Sequence, residues 1–184
     1  MSASTLAHYL NPLASALATP SGKVYAGVVM ACVLVLYFLR SHIVIFSLAA
    51  FPGTLLHELL HFTAGLVTFG RPTGFSVIPR RVSRGYALGS VRFAHVRWYN
   101  AWFIGLAPLL LLPMALLLLA WRVQGLHGFV LAELGWTYLL ATLIYASLPS
   151  WPDIKIATGS FWLLAFAAAV YWIVTSEGFR VAKL

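Results

Sequence analysis

Long apolar runs separated by short polar segments dominate the pattern of the chain. At about 1.5 Å of rise per residue, each run is long enough to cross most or all of a hydrocarbon core about 30 Å thick. Runs of this length predict transmembrane helices, and we expect about five of them. They cover Val24 to Leu39, Ile43 to Phe69, about Tyr99 to Trp121, about Phe129 to Leu148 and about Ile154 to Thr175.

Composition places the chain in a membrane rather than in solution. Of 184 residues, 61% are hydrophobic and 9% are charged, whereas about a quarter of the residues in soluble domains are charged. The runs lie close enough together to form a single polytopic membrane domain, residues 1–184, built as an all-α helical bundle. Residues 1–19 are expected to form a short interfacial helix or a partly ordered tail. Residues 1–22 lack the pattern of a cleavable signal peptide, so we expect the first helix to act as the insertion signal.

Prolines inside or beside the runs predict interruptions of the helices. Pro52-Gly53 predicts a kink or break in the second run just before its polar residues. Pro108 and Pro113 are expected to kink or thin the third helix, because proline cannot donate a backbone hydrogen bond. Pro149 and Pro152 are expected to end the fourth helix.

The segment 70–98 differs in character from the apolar runs on either side. It carries six arginines, and its stretch GYALGSVRFAHV alternates apolar and polar residues as a half-buried strand does. With GFSVIP before it and a turn at Arg84-Gly85, the pattern predicts a small β-hairpin or sheet near one membrane face.

Basic residues are unevenly divided between the two sides that five spans would create. The net charge of +8 comes largely from arginines between the apolar runs, which favours an orientation signal over nucleic-acid binding. Eight basic residues share the side of the N-terminus and four lie on the other. We therefore expect a multi-pass protein of the cytoplasmic (inner) membrane with its N-terminus in the cytoplasm. The larger group is Lys23, Arg71, Arg80, Arg81, Arg84, Arg92, Arg97 and Lys155, and the smaller is Arg40, Arg122, Arg180 and Lys183.

Three polar residues interrupt the second run, in the stretch FPGTLLHELLHFTAGLVTF. His57, Glu58 and His61 fit the pattern H-E-x-x-H, in which histidines four residues apart share one helix face and can reach one metal ion. With six histidines and three glutamates in the chain, random placement would give roughly 0.003 such matches. The structural alternative is a pair of buried, hydrogen-bonded histidines. A carboxylate inside hydrocarbon costs about 2.5 to 3.5 kcal/mol, however, and a divalent cation is the partner that would offset this cost.

A catalytic zinc site needs a third protein ligand and keeps one position for water. We expect Asp153 to be this ligand, because it follows a helix ended by two prolines, and irregular backbone at membrane depth is tolerated where it lines a site. The alternative role for Asp153 is to cap the fifth helix. The remaining candidates are expected to lie at helix ends, in a polar turn or on the predicted sheet; they are Glu133, His42, His127 and His95.

Together these features resemble the site-2 protease type of intramembrane zinc metallopeptidases. The features are HELLH in a spanning helix, a strand-rich segment after it, GLAP in the next helix and a distal aspartate beside prolines. They cover about Ile43 to Asp153. The aspartate stands in Pro-Asp-Ile, where the family usually has Leu-Asp-Gly, so the resemblance is to a small divergent branch.

The resemblance implies that zinc is bound by His57, His61 and Asp153 and that Glu58 acts as general base on the attacking water. The substrate would be a membrane-embedded protein or peptide, which the sheet at about Phe75 to Val96 could hold as an added strand. The sheet could instead be a structural cap. Other functions that fit the same residues are a membrane zinc transporter or sensor and a non-catalytic partner-binding protein. Iron also suits two histidines and a carboxylate.

Overall fold

The computed structural model of the chain describes residues 14–15, 17–82, 85–124, 130–159 and 161–181. Most of the predicted N-terminal tail or interfacial helix lies outside these residues. The described part is mostly helical with a small β insertion. Its helices are α1 (Pro20–Leu39), α2 (Ile43–Ala49), α3 (Phe51–Val67), α4 (Ala101–Leu106), α5 (Leu111–Gln124), α6 (Glu133–Ala146), α7 (Trp151–Thr158) and α8 (Phe161–Val181).

Among the described residues, two helical segments are long and apolar enough to cross a membrane. One is α1, and the other is Ala101–Gln124, in which α4 and α5 are joined by a 3₁₀ turn. The pair α2 and α3 gives a third span if the two helices are counted as one. A mostly helical architecture with helices long and apolar enough to span a membrane is therefore confirmed, while a bundle of five spans stays a prediction.

The first helix begins where its sequence supplies a cap. The hydroxyl of Thr19 accepts a hydrogen bond from the backbone N–H of Gly22 at 3.0 Å, and Pro20 occupies the first turn, where its missing N–H is not needed. Beyond this start, α1 packs along α6 and buries Tyr25 and Val29 in the main apolar core.

The predicted break before the histidines is confirmed. Helices α2 and α3 meet at 71° around Ala50, and Pro52 lies in the first turn of α3. Gly53 permits close packing rather than bending. Helix α3 approaches α6 so closely at this residue that a Cβ on Gly53 would overlap the carbonyl of Thr142. The glycine thus sets the distance between two helices that carry parts of the candidate site.

The helices observed in the third, fourth and fifth apolar runs are shorter or more interrupted than the sequence predicts. The 3₁₀ turn Ala107–Leu110 contains Pro108, which confirms the predicted thinning of the third run. The fourth helix is shorter than its apolar run, and Phe129 lies outside the described residues. The fifth run is divided into α7 and α8, and α7 ends at Thr158 with Gly159, a residue type of low helix propensity, as its C-cap.

The predicted strand-rich insertion is also confirmed. Strand β1 (Pro72–Ser76) pairs antiparallel with β4 (Ser90–Phe93), and β2 (Arg80–Val82) pairs antiparallel with β3 (Gly85–Ala87). Gly85 has φ 100°, as a tight turn requires, although Arg84 itself lies outside the described residues. The β1–β4 pair rests on α3 through aromatic rings. Phe75 meets Phe62 edge to face at 6.0 Å, and Phe93 lies over Gly65.

An ion pair joins the far ends of α5 and α6. Glu133, which the sequence places at the interface, is 3% exposed and pairs with Arg122. The guanidinium of Arg122 also lies 5.2 Å from the ring centre of Trp121 and 5.5 Å from that of Trp136. Glu133 is thereby engaged in helix packing.

Replacing Arg122 with Gln should lower the free energy of unfolding by about 2 kcal/mol, because the buried carboxylate of Glu133 would lose its cation. This loss of stability is smaller than that expected for a fully buried ion pair, because the side chain of Arg122 is partly exposed to solvent. Thermal or denaturant unfolding in detergent measures the change. Unaltered stability would show that Glu133 has another partner.

Candidate metal site

The two histidines of the H-E-x-x-H pattern face each other on one side of α3. Their ring centres lie 4.8 Å apart with the planes at 76°, and their Nε2 atoms are 3.2 Å apart. His61 is buried and His57 is half-buried. The spacing of four residues therefore brings the two imidazoles together, as the sequence predicts.

Each histidine is held by a backbone carbonyl. Nδ1 of His57 lies 2.7 Å from the carbonyl oxygen of Ala146, and Nδ1 of His61 lies 2.7 Å from that of Ile104. A carbonyl oxygen can only accept, so each Nδ1 carries the proton and donates it. In the neutral imidazole, the Nε2 atom then keeps its lone pair, and the Nε2 atoms of both rings lie against the same small volume, the arrangement in which histidines bind metals.

Both carbonyls are available because regular helix stops nearby. In an α-helix, the oxygen of Ile104 would accept from residue 108, but Pro108 has no N–H. The oxygen retains a lone pair for His61 although Ala107 also donates to it. Helix α6 ends at Ala146, and the N–H of Ser150, four residues on, donates to Asp153 instead.

Asp153 completes the cluster from the first turn of α7. Its Oδ1 lies 3.1 Å from Nε2 of His61, and its Oδ2 lies 3.4 Å from Nε2 of His57. Oδ2 also accepts from the N–H of Ser150 at 2.7 Å and from its hydroxyl. The N-cap of α7 is Ser150, and Asp153 takes part in this cap from the third helical position, while the same carboxylate faces both histidines.

Close helix packing brings Asp153 to the histidines. Helix α7 packs tightly on α4, and a Cβ on Gly105 would lie 2.5 Å from the carbonyl oxygen of Asp153 and 2.8 Å from the backbone nitrogen of Ala157. Gly105 and Pro108 are the first and last residues of GLAP. The glycine lets α7 approach, and the proline frees the carbonyl that orients His61.

The ligand atoms of His57, His61 and Asp153 lie within 4.8 Å of one another, so this group could hold a metal ion. No model of a known protein family matches this chain, and neither curated proteins nor solved structures give a match. The chemistry of the site therefore rests on its own geometry. Two neutral imidazoles and a carboxylate directed at one point repel one another unless a metal ion lies between them or a proton on an imidazole is shared with the carboxylate.

The other candidate ligands lie elsewhere in the described part of the chain. Glu133 is paired with Arg122, and His42 is exposed at the start of α2. His95 follows β4, where its backbone N–H donates to Gly70 and its carbonyl accepts from Asn100. His127 lies outside the described residues.

Glu58 lies next to His57 on α3 and is 7% exposed. The connection between β3 and β4 covers it, since a Cβ on Gly89 would lie 2.5 Å from Oε1 of Glu58. No pattern in the sequence predicts this contact between the insertion and Glu58. A glycine two residues after a strand is a weak signal, because turns account for most such glycines.

Replacing Gly105 with Ala should lower the free energy of unfolding by about 1 to 3 kcal/mol, because the added methyl group would push α7 from α4. Metal affinity should fall as well, since Asp153 moves with α7. Zinc titration and thermal unfolding in detergent measure the two effects.

Gly135→Ala provides a matched control. Gly135 lies in α6 with open space around its Cβ position, so this variant should be as stable as the parent or more stable by up to about 1 kcal/mol. Equal behaviour of the two variants would contradict the packing role of Gly105.

Proposed function

We propose that the protein is a zinc-dependent intramembrane endopeptidase. The observation that carries the proposal is the convergence of two histidine Nε2 atoms and one carboxylate at a point beside Glu58, among helices able to span a membrane. Two histidines and one carboxylate are the ligands of a common class of catalytic zinc sites, which keep a fourth position for water. The resemblance of HELLH and the distal aspartate to the site-2 protease type supports the same proposal.

Each residue of the cluster has a role in this proposal. His57, His61 and Asp153 would hold the zinc, and zinc bound there would supply an activated water and polarise the scissile carbonyl. Glu58 takes the proton of the attacking water and passes it to the departing amine. The burial of Glu58 under Gly89 keeps bulk water away from this proton transfer.

The substrate would be the transmembrane segment of a membrane protein or peptide. A helix hides its carbonyl groups in hydrogen bonds, so the segment must be held in an extended form before cleavage. Among the described strands, β1 and β4 pair only with each other, so each has an edge with backbone groups available for an added strand. This sheet lies directly on α3, the helix of the two histidines.

A zinc transporter is less well supported by the described residues. Transport requires several polar sites along a path, whereas the described residues contain one group of histidine and carboxylate ligands that could hold a metal.

Metal analysis of the purified full-length protein tests the proposed site. We expect one zinc per chain, and His57→Ala and His61→Ala should each lose it, because two remaining ligands hold zinc poorly. His42→Ala is the matched control, since His42 is exposed and remote from the cluster, and it should retain the metal. Loss of zinc from all three variants alike, or iron in place of zinc, would contradict the assignment.

A further inference from the structure

The insertion 70–98 is strongly cationic and lacks an internal counter-charge. It holds six arginines and neither aspartate nor glutamate. The ion pairs found among the described residues connect histidines to Asp153 and Arg122 to Glu133, and none of them includes an arginine of the insertion. The preference for basic residues on the cytoplasmic side explains why such a segment is basic, but it does not explain where each charge lies.

One end of the insertion is fixed against the candidate site. Leu88 packs on the apolar cluster that contains Leu36, Phe46 and Ala141. The next residue, Gly89, lies so close to Glu58 that a Cβ would approach both Cγ and Oε1 at 2.5 Å. Leu88 and Gly89 therefore hold the inner hairpin, β2 and β3, at the edge of the site.

Arg80 is the arginine that this arrangement brings to Glu58. It begins β2 and lies opposite Ala87, two residues before Gly89. Its side chain is exposed, and the Arg80–Ala87 pair is the β2–β3 pair nearest to Gly89 and therefore to Glu58. Arg81 lies opposite Tyr86, one pair further from Gly89, and successive strand residues point to opposite faces.

We propose that Arg80 is a specificity-determining residue, which favours peptide substrates that carry an aspartate or glutamate side chain close to the scissile bond. The proposal rests on the proposed function and names the chemical class of its substrates. A guanidinium binds a carboxylate through two parallel hydrogen bonds. The positive charge of Arg80 also offsets the repulsion that an acidic substrate would otherwise meet from Glu58.

A lipid phosphate can bind arginine through the same kind of charge-assisted hydrogen bonds as a carboxylate. The placement of Arg80 nevertheless favours a peptide. A substrate backbone must come to Glu58 to be cleaved, and its side chains then lie beside the β2–β3 hairpin that carries Arg80. Of the arginines in the described part of this hairpin, Arg81 lies one pair further from Gly89, so Arg80 is the better placed to meet them.

Binding of two synthetic transmembrane peptides tests the proposal. The peptides differ in one position near the end of the apolar segment, where one has Glu and the other Gln. The full-length protein is placed in nanodiscs of zwitterionic lipid with a chelator, so that neither hydrolysis nor a metal–carboxylate bond contributes. We expect the Glu peptide to bind about tenfold more tightly, the effect of one charge-assisted interaction.

Arg80→Gln should abolish this preference, and Arg81→Gln, which removes an equal charge from the same strand, should keep most of it. Equal affinity of the two peptides for the parent protein would overturn the proposal. An equal loss of the preference in Arg80→Gln and Arg81→Gln would also overturn the proposal, because it would indicate a general effect of charge. Loss of the preference when anionic lipid is added to the nanodiscs would assign the surface to headgroups and would likewise overturn it.

The outcome is separable from that of the proposed function. Since the measurement is made without metal, a missing preference leaves the zinc site and its hydrolysis untouched. A failure to cleave peptides in the metal-loaded protein would leave the measured preference standing.

Discussion

Replacing Glu58 with Gln should stop peptide hydrolysis while leaving zinc in place. Glutamine has nearly the same size and can occupy the space beneath Gly89, but it cannot take a proton from water. A general base contributes about 10²- to 10⁴-fold to the rate of such a step, so the rate constant for cleavage should fall by that factor. Zinc remains because its proposed ligands are His57, His61 and Asp153, and Glu58 is not among them.

The Glu58 variant is best measured in two ways on one sample. Zinc content is determined by mass spectrometry, and cleavage of a transmembrane peptide is followed by chromatography. His57→Ala is the control that should lose both zinc and cleavage. Cleavage by Glu58→Gln at the parent rate would disprove the general-base role, and loss of zinc from this variant would make Glu58 a ligand.

Replacing Asp153 with Asn should remove most of the zinc affinity without unfolding α7. The amide oxygen of asparagine can still accept a hydrogen bond from the N–H of Ser150, so the contact that holds the start of α7 can be kept. The neutral amide is a much poorer zinc ligand than a carboxylate. Since loss of an outer partner alone costs about 10- to 100-fold in metal affinity, we expect loss of this ligand to cost more than about 100-fold.

Ser150→Ala separates the two roles of Asp153. It removes the hydroxyl that donates to Oδ2 but keeps both the backbone N–H and the carboxylate, so zinc affinity should fall less than in Asp153→Asn. Zinc titration against a competing chelator measures both variants, and thermal unfolding checks that each is folded. Full zinc affinity in Asp153→Asn would move the third ligand to another residue.

The sequence predicted those parts of the molecule that depend on local pattern. The helix break before His57, the 3₁₀ turn at Pro108 and the small sheet follow from proline chemistry and from alternation of residues, and all three are observed. The pairing of His57 with His61 follows from the helical repeat in the same way. The two prolines before Asp153 predict irregular backbone that can line a site, and the structure places Asp153 beside both histidines.

Features that depend on contacts between distant segments could not be predicted. The approach of α7 to α4 at Gly105 and the cover of Gly89 over Glu58 join residues about 50 and 30 positions apart. The burial of Glu133 is of the same kind, since it depends on Arg122 beyond a turn. The availability of the Ile104 carbonyl for a side-chain hydrogen bond could have been predicted. Pro108, four residues later, has no N–H to donate to it.

The most direct test of the central claim is zinc-dependent cleavage of a membrane-embedded peptide. The full-length protein and the peptide are reconstituted together, and fragments are sequenced before chelation, after chelation and after zinc is restored. The proposal predicts cuts within or beside the transmembrane segment that disappear with the chelator and return with zinc. Fragments that are unaffected by chelation, or no fragments from a protein shown to hold one zinc per chain, would contradict it.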